Sequence, residues 1–345
     1  MPRVSNYRRR GVFLGLIWLV TFHPAFAANE QTLAERLRPP LVAAHQGGEF
    51  GIPNSLIQFS EDLENTDADI LEMDLRLTSD GRVVVFHDDL LDSKTDCTGR
   101  VETTTYAELI ECRRTNGERI ALFSDVLTLV NGRRIISAEL KTDSVALPAV
   151  QDLIRANASN WAYLQVQANR HRYDIVHAAA PNILMMVKTD SAATLGWILA
   201  ANDPSLKIVE VDRDALTDAL ARELHRHGKL VSLDTWRYQF TEERFSASCD
   251  RAFAEGVDIA VTNNAASCSL QRAAWGHPAS SSGVAYDRQH MRGWVRDNAS
   301  AWYWMKFSTL SLIGAALAAG CLRYSIRWRR RRGQPWPIQR RQKDG

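Results

Sequence analysis

Net charge is nearly absent from this chain: 42 basic residues meet 40 acidic ones over 345 positions, leaving +2. The balance conceals a segregation. Residues 1–27 carry no acid and four arginines (Arg3, Arg8, Arg9, Arg10), while residues 323–345 set nine basic residues against the single acid Asp344. The stretch between keeps 29 basic and 39 acidic residues. An acidic body excludes the basic face of a nucleic-acid binder, and a basic block at one end marks a membrane surface or a topology signal. A glycine-rich dinucleotide turn is also missing, which counts against an open doubly wound sheet. With 45% apolar and 24% charged residues, the chain lacks the bias of disordered, collagenous or coiled-coil sequences.

Cysteine is sparse, at five residues. Cys321 falls in an apolar run. The other four form two local pairs, Cys97/Cys112 and Cys249/Cys268. In an oxidising compartment they predict two disulfides, with unpaired cysteines or crossed pairing as the alternatives because sequence does not set connectivity.

The ends of the chain read as targeting and anchoring segments. Arg8 to Arg10 precede the apolar run Gly11 to Phe22 and then Ala25-Phe26-Ala27. That order is a charged region, an apolar region of signal-peptide length and a small-residue cleavage site, so residues 1–27 are expected to be a signal peptide. Near the other end, Phe307 to Leu322 is uncharged and apolar, flanked by Trp302, Tyr303 and Trp304 and then by Arg323, Arg327 and Arg329 to Arg332. Aromatic flanks and snorkelling Lys306 and Arg323 let this short run span a bilayer. The expected order is signal peptide 1–27, folded body 28–277, linker 278–301, transmembrane helix 302–322 and basic cytoplasmic tail 323–345. The body then lies outside the cytoplasm, periplasmic or extracellular. Small residues in the span permit helix packing, but no oligomeric state follows.

In the body, short β-branched runs alternate with helical patterns. Strands are predicted at Leu41–Ala44, Ile70–Leu75, Arg134–Leu140, Ala162–Val166, Ile183–Val187, Ile208–Val211, Leu230–Leu233 and Asp258–Thr262. Helices are predicted at Ser124–Val130, Leu147–Ala156, Ala192–Ala201, Ala215–His227 and Thr241–Glu255. Eight strand–helix units in a body of this size predict an α/β fold, a (β/α)8 barrel. A further strand, Arg82–Phe86, follows the turn signal Asp80-Gly81. The polar stretch Asp88–Arg119 exceeds an ordinary loop and reads as an ordered insertion after the second strand.

Chemistry in such a barrel gathers where strands end. The polar residues there are His45; Glu72 and Asp74; Glu139 and Lys141; Gln165 and Gln167; Lys188; Asp212; Trp236; Asn263 and Asn264. Glu72/Asp74 and Glu139/Lys141 stand two residues apart, so each pair shares one face of its strand. Three carboxylates entering one mouth repel each other, and a hard divalent cation offsets that cost. His171, His177, His225 and His227 lie in helical patterns and are expected to be solvated or core residues.

Ala44-His45-Gln46-Gly47-Gly48, Asn54-Ser55-Leu56 with Phe59, Ala68 to Asp74, Thr78-Ser79-Asp80-Gly81 and Val83 to Asp88 together resemble the glycerophosphodiester phosphodiesterase family. Thr98-Gly99-Arg100-Val101, Glu139-Leu140-Lys141 and Gly256-Val257-Asp258-Ile259 resemble further motifs of it. The match is dense over 41–141 and sparse to 270. The resemblance implies one divalent cation, Ca²⁺ or Mg²⁺, on Glu72, Asp74 and Glu139. It also implies His45 and His87 as acid/base pair, Lys141 near the phosphate, and attack by the glycerol 2-hydroxyl followed by opening of a cyclic phosphate. Gln46, Lys188 and Trp236 join Lys141 as candidate substrate or phosphate contacts. The implied substrate is a small or lipid-derived phosphodiester, a glycerophosphodiester or a lysophospholipid. A phospholipase-C-like enzyme and a degenerate, ligand-binding barrel are the competing readings.

The chain departs from the family pattern in three places. Gln46 stands where the family has arginine, Pro53 runs straight into Asn54 where it has a glutamate between, and Thr262-Asn263-Asn264 replaces its T-D. Loss of the arginine and the glutamate together reads as a neutral replacement of a charge pair. Phosphate is then expected to be held by the metal, Lys141 and neutral donors.

Overall fold

The computed structural model describes residues 31–48, 52–235 and 248–275. Among them nine strands form one sheet: β1 (Leu41–Ala44), β2 (Ile70–Leu77), β3 (Val83–Val85), β4 (Ile135–Leu140), β5 (Ala162–Gln165), β6 (Met185–Thr189), β7 (Leu206–Val211), β8 (Leu230–Asp234) and β9 (Ile259–Thr262). β1 pairs in parallel with both β2 and β9, and every other neighbour except β3 is parallel. The sheet therefore closes into an eight-stranded barrel of (β/α)8 type, as the alternation of patterns predicts. β3 hangs antiparallel on β2 through the Asp80-Gly81 turn.

Side-chain alternation divides each strand between two cores. One face of the strands packs against the surrounding helices in the main core, which includes Leu71, Met73, Ile136, Leu164 and Val209. The other face fills the barrel with Leu41, Ala43, Ile70, Ile135, Tyr163, Met186, Ile208, Ile259 and Val261. Leu33 and Leu37, at and just beyond the helix Leu33–Arg36, join this second core next to the strand beginnings. The barrel is thus plugged below and turns polar above.

Strand ends drift from expectation by one or two residues; the helices are less evenly legible. The expected Leu147–Ala156 is Ala146–Arg155, and Ala215–His227 shortens to Asp218–Arg226. Leu56–Asn65 and Arg170–Ala179 are further helices, the first with only four buried side chains, Asp62 among them, and two acids, Glu61 and Glu64, off the buried stripe. Of the predicted Thr241–Glu255, Ser248–Ala254 is helical, and 241–247 lies outside the described residues.

Between β3 and the helix Phe123–Val130 the insertion builds a core of its own from Val84, Phe86, Leu91, Val101, Leu109, Cys112 and Ile120. The Cys97–Cys112 disulfide staples it, and Cys249–Cys268 joins the helices Ser248–Ala254 and Ala265–Ala273. Both local pairings are as expected. The segments expected as signal peptide, linker, transmembrane helix and basic tail, with Cys321 and Trp236, fall outside the described residues. Among the described residues no helix is long and apolar enough to cross a membrane.

Candidate active site

β2 and β4 run side by side with Asp74 opposite Glu139 and Glu72 opposite Ser137. This register brings Glu72, Asp74 and Glu139 together, with one carboxylate oxygen from each within 4.8 Å of the others. Lys141, just beyond β4, donates to Asp74 Oδ1 at 2.7 Å and to Glu139 Oε1 at 2.6 Å. Crowding shows in the electrostatics. Burial, then the charges of Asp74 and Glu139, push the Glu72 carboxyl well above its ordinary range. Burial also raises Glu139 despite Lys141. Burial pushes Asp74 the same way, but the Lys141 ammonium and hydrogen bonds overcome it and hold that carboxyl low. Lys141 is raised because its two carboxylates outweigh its desolvation. Three acidic oxygens sharing one ammonium make a donor set that fits a hard divalent cation.

The turn after β1 wraps this cluster. Gln46 adopts φ +51°, the left-handed region that costs a non-glycine residue about 1 kcal/mol. In that conformation its main-chain N–H donates to Glu72 Oε2 at 2.9 Å and its side-chain amide donates to Asp74 Oδ2 at 2.8 Å. Gln46 thus faces the carboxylates, held there by the backbone it shares with His45. Asn54, also left-handed at φ +62°, gives Asp74 Oδ2 a second amide proton at 2.6 Å and accepts from the Asp74 main chain at 3.1 Å. The sequence placed Asn54 in a motif but gave it no role.

Gly47 and Gly48 let the helix Leu56–Asn65 approach the turn. A Cβ on Gly47 would stand 2.8 Å from the Phe59 ring, and one on Gly48 would stand 2.9 Å from Asp62 Oδ1. Asp62 is fully buried, and neither carboxylate oxygen has a hydrogen-bond partner. Burial pushes its carboxyl up to about 6, with Thr66 and then Arg134 offsetting only part of the effect.

His45 Nδ1 lies 2.7 Å from Asn263 Oδ1, an acceptor, so this nitrogen carries the proton. Its Nε2 lies 3.9 Å from Glu72 Oε2. Burial lowers the imidazole below its ordinary value, the Asn263 bond offsetting part of this, so it is neutral near pH 7. His87 follows β3, where Phe86 N–H donates to the Asp74 carbonyl at 2.9 Å. Its Nδ1 stands 2.6 Å from Asp88 Oδ1, and it lies close enough to interact electrostatically with both His45 and Asp74. The strand ends thus gather His45, His87, Lys141, Gln46 and the three acids.

Three of the other strand-end residues, Lys188, Gln165 and Asn264, have identifiable partners. Lys188 on β6 pairs with Glu210 of β7 at 2.6 Å, and Glu210 in turn raises Glu139. The opposite wall of the mouth therefore carries its own ion pair, and Glu210 went unnoticed in the sequence. Gln165 donates to Ser137 Oγ at 2.8 Å. Asn264 caps the helix Ala265–Ala273.

With the geometry in place, comparisons with known proteins agree. The model of the glycerophosphoryl diester phosphodiesterase family matches residues 45–267. A glycerophosphodiester phosphodiesterase of Bacillus altitudinis is 33% identical over 124 residues, covering 33% of this chain and 50% of the relative. One from Bacillus subtilis is 36% identical over 97 residues, covering 28% and 32%. These matches span about half or less of the relatives' length. Two solved structures share the fold. A glycerophosphoryl diester phosphodiesterase from Parabacteroides distasonis has a TM-score of 0.61 at 20% identity, covering 73% of this chain and 96% of its own. A phosphodiesterase of Oleispira antarctica, solved with its product sn-glycerol-3-phosphate, has a TM-score of 0.56 at 17% identity, covering 68% and 96%.

Proposed function

The chain belongs to the glycerophosphoryl diester phosphodiesterase family, and from that premise we propose that it hydrolyses glycerophosphodiesters to glycerol 3-phosphate and an alcohol. The observation that carries this is the convergence of two histidines, three carboxylates and Lys141 at one end of a closed barrel. A phosphodiester repels nucleophiles, so its charge must be neutralised and two protons must be managed.

Glu72, Asp74 and Glu139 would hold the divalent cation, Ca²⁺ or Mg²⁺ rather than Zn²⁺ because every ligand is an oxygen. When bound, the ion polarises the phosphoryl oxygens. Lys141 contributes a second cation beside the same carboxylates. His45 is the base: neutral, with Nδ1–H held by Asn263, it uses Nε2 to take the proton of the glycerol 2-hydroxyl. That oxygen bonds to phosphorus as the bond to the departing alcohol breaks. His87, acting as the imidazolium with Nδ1–H held by Asp88, gives the alkoxide its Nε2 proton and is left neutral. In the second half the roles reverse, and water opens the cyclic phosphate. Gln46 and Asn54 hold Asp74 in place.

The reading extends to location. Residues 1–27 export the body, and 302–322 tether it with the basic tail in the cytoplasm; two disulfides in the body support an oxidising compartment. Protease protection of the tail in intact cells, with exposure of the body, checks this. The activity itself is tested with full-length protein in detergent, stripped of metal and given glycerophosphocholine. Glycerol 3-phosphate should appear only after Ca²⁺ or Mg²⁺ is restored. No release with either ion would refute the assignment.

A further inference from the structure

We propose that Arg114, in the disulfide-stapled insertion, is a positioning residue for the metal-binding carboxylates, acting through Asn54 on Asp74. The inference rests on the metal reading of the three acids.

Arg114 is 3% exposed, an expensive place for a guanidinium. Its side chain spends its protons on main-chain carbonyls. Nη1 donates to Pro53 at 3.0 Å, and Nη2 donates to Asn54 at 3.0 Å and Val85 at 3.1 Å. The guanidinium lies 5.3 Å from the centre of the Phe86 ring. One planar fork therefore ties the loop before Leu56–Asn65 to β3 and to the segment that delivers His87. Lysine, a point donor, does not reproduce that geometry.

Asn54 is the residue this fork fixes. Its N–H donates to the Gln46 carbonyl at 2.9 Å, its carbonyl accepts from Arg114, and its side chain binds both the main chain and the carboxylate of Asp74. With its backbone held on both sides in a left-handed conformation, its amide has one direction in which to point. Asp74 then meets the other two ligands from a set position.

The insertion holds Arg114 in turn. Cys112, two residues before it, is bonded to Cys97 and buried in the local core. Beside the disulfide, Asp96 N–H donates to the Arg113 carbonyl at 2.9 Å and Arg113 N–H donates to Asp96 Oδ1 at 2.7 Å. The chain from Cys97–Cys112 through Arg114 and Asn54 to Asp74 is continuous. It gives the insertion a task in the site without contact with substrate.

The test is Mn²⁺ affinity, read by electron paramagnetic resonance of the free ion, with melting temperature alongside, on full-length protein in detergent. Arg114→Met should raise the Mn²⁺ dissociation constant about tenfold, as loss of an outer partner of a metal ligand does. Asn54→Ala should do the same, and the double variant should be no weaker than Asn54→Ala by more than about twofold, because both act along one chain. Arg114→Lys should recover part of the affinity. Cys97→Ser with Cys112→Ser should weaken binding about threefold or more. Val176→Ala, in the core behind Arg170–Ala179, should lower the melting temperature and leave affinity alone. Wild-type affinity in folded Arg114→Met, or additivity in the double variant, overturns the proposal. If Arg114→Met does not fold, wild-type affinity in both Arg114→Lys and the disulfide-free variant overturns it. Failure of the wild type to bind Mn²⁺ overturns instead the metal reading beneath it.

Discussion

The Lys141 ammonium lies 2.7 Å from the Asp74 carboxylate of the neighbouring strand. It stands at the same time 2.6 Å from Glu139, so one cation serves two of the three clustered acids. Lys141→Met should cost at least about thirtyfold in kcat/KM, near 2 kcal/mol of transition-state stabilisation. It should also lower the melting temperature of metal-stripped protein, where two partly or fully buried carboxylates lose their counter-charge. Added Ca²⁺ should restore much of that stability and little of the activity. A metal-stripped variant as stable as wild type would show that Lys141 does not hold the acids.

Glu72→Gln, Asp74→Asn and Glu139→Gln should each weaken metal binding and remove most activity, because each deletes one anionic ligand from a set of three. Calorimetric titration of Ca²⁺ and turnover before and after chelation check this. Full activity after exhaustive chelation would sink the metal-dependent reading. Glu72→Gln should in addition stabilise the metal-stripped protein, since burial and two like charges oppose its ionisation.

The barrel was legible because eight apolar runs carry the strand period and helical patterns separate them. The acid triad was legible because two-residue spacing puts Glu72 with Asp74, and Glu139 with Lys141, on one strand face. What sequence could not show depends on contacts across many positions. Arg114 reaches Pro53 across 61 residues, and nothing local marks it off from the other arginines nearby. Glu210 reads as one polar residue in an apolar strand until Lys188 meets it. Gln46 was expected among the phosphate contacts. Its positive φ, which turns the amide onto Asp74, depends on Gly47, Gly48 and the helix packed against them. The helix Leu56–Asn65 escaped because its buried stripe is narrow and includes Gln58 and Asp62.

Gln46→Arg should not raise activity. The amide already donates to Asp74 Oδ2, and a guanidinium there would add a second cation beside Lys141, against a carboxylate the metal needs. Metal affinity should fall, and no glutamate follows Pro53 to balance the new charge. Restoring both charges, by adding a glutamate between Pro53 and Asn54, should do better than Gln46→Arg alone. The check is kcat/KM for wild type, each single change and the pair. A rise of about tenfold for Gln46→Arg by itself would refute the neutral-replacement reading.

Asp62 sets a pH dependence of stability that runs opposite to that of an ordinary ion-paired acid. Neither buried oxygen has a hydrogen-bond partner by geometry, the Thr66 hydroxyl donating to the Asp62 main-chain carbonyl, and the nearby Thr66 and Arg134 offset only part of the burial. Burial raises the carboxyl from 3.8 to about 6. The folded state therefore binds the proton more tightly than the unfolded state does, and the contribution is fully present below about pH 3.8. It is lost as pH rises through about 6, when the buried group must ionise. A shift of about two units corresponds to ~3 kcal/mol at most. Asp62→Asn keeps the shape and cannot ionise. Its melting temperature relative to wild type should rise between pH 4.5 and 7.5, by on the order of 5 °C for a body of this size. Groups elsewhere titrate identically in both proteins and cancel in the difference. Parallel melting curves across that range would show that Asp62 finds a counter-charge or a hydrogen bond in solution, and that the helix under Gly48 is not held against an ionising carboxylate.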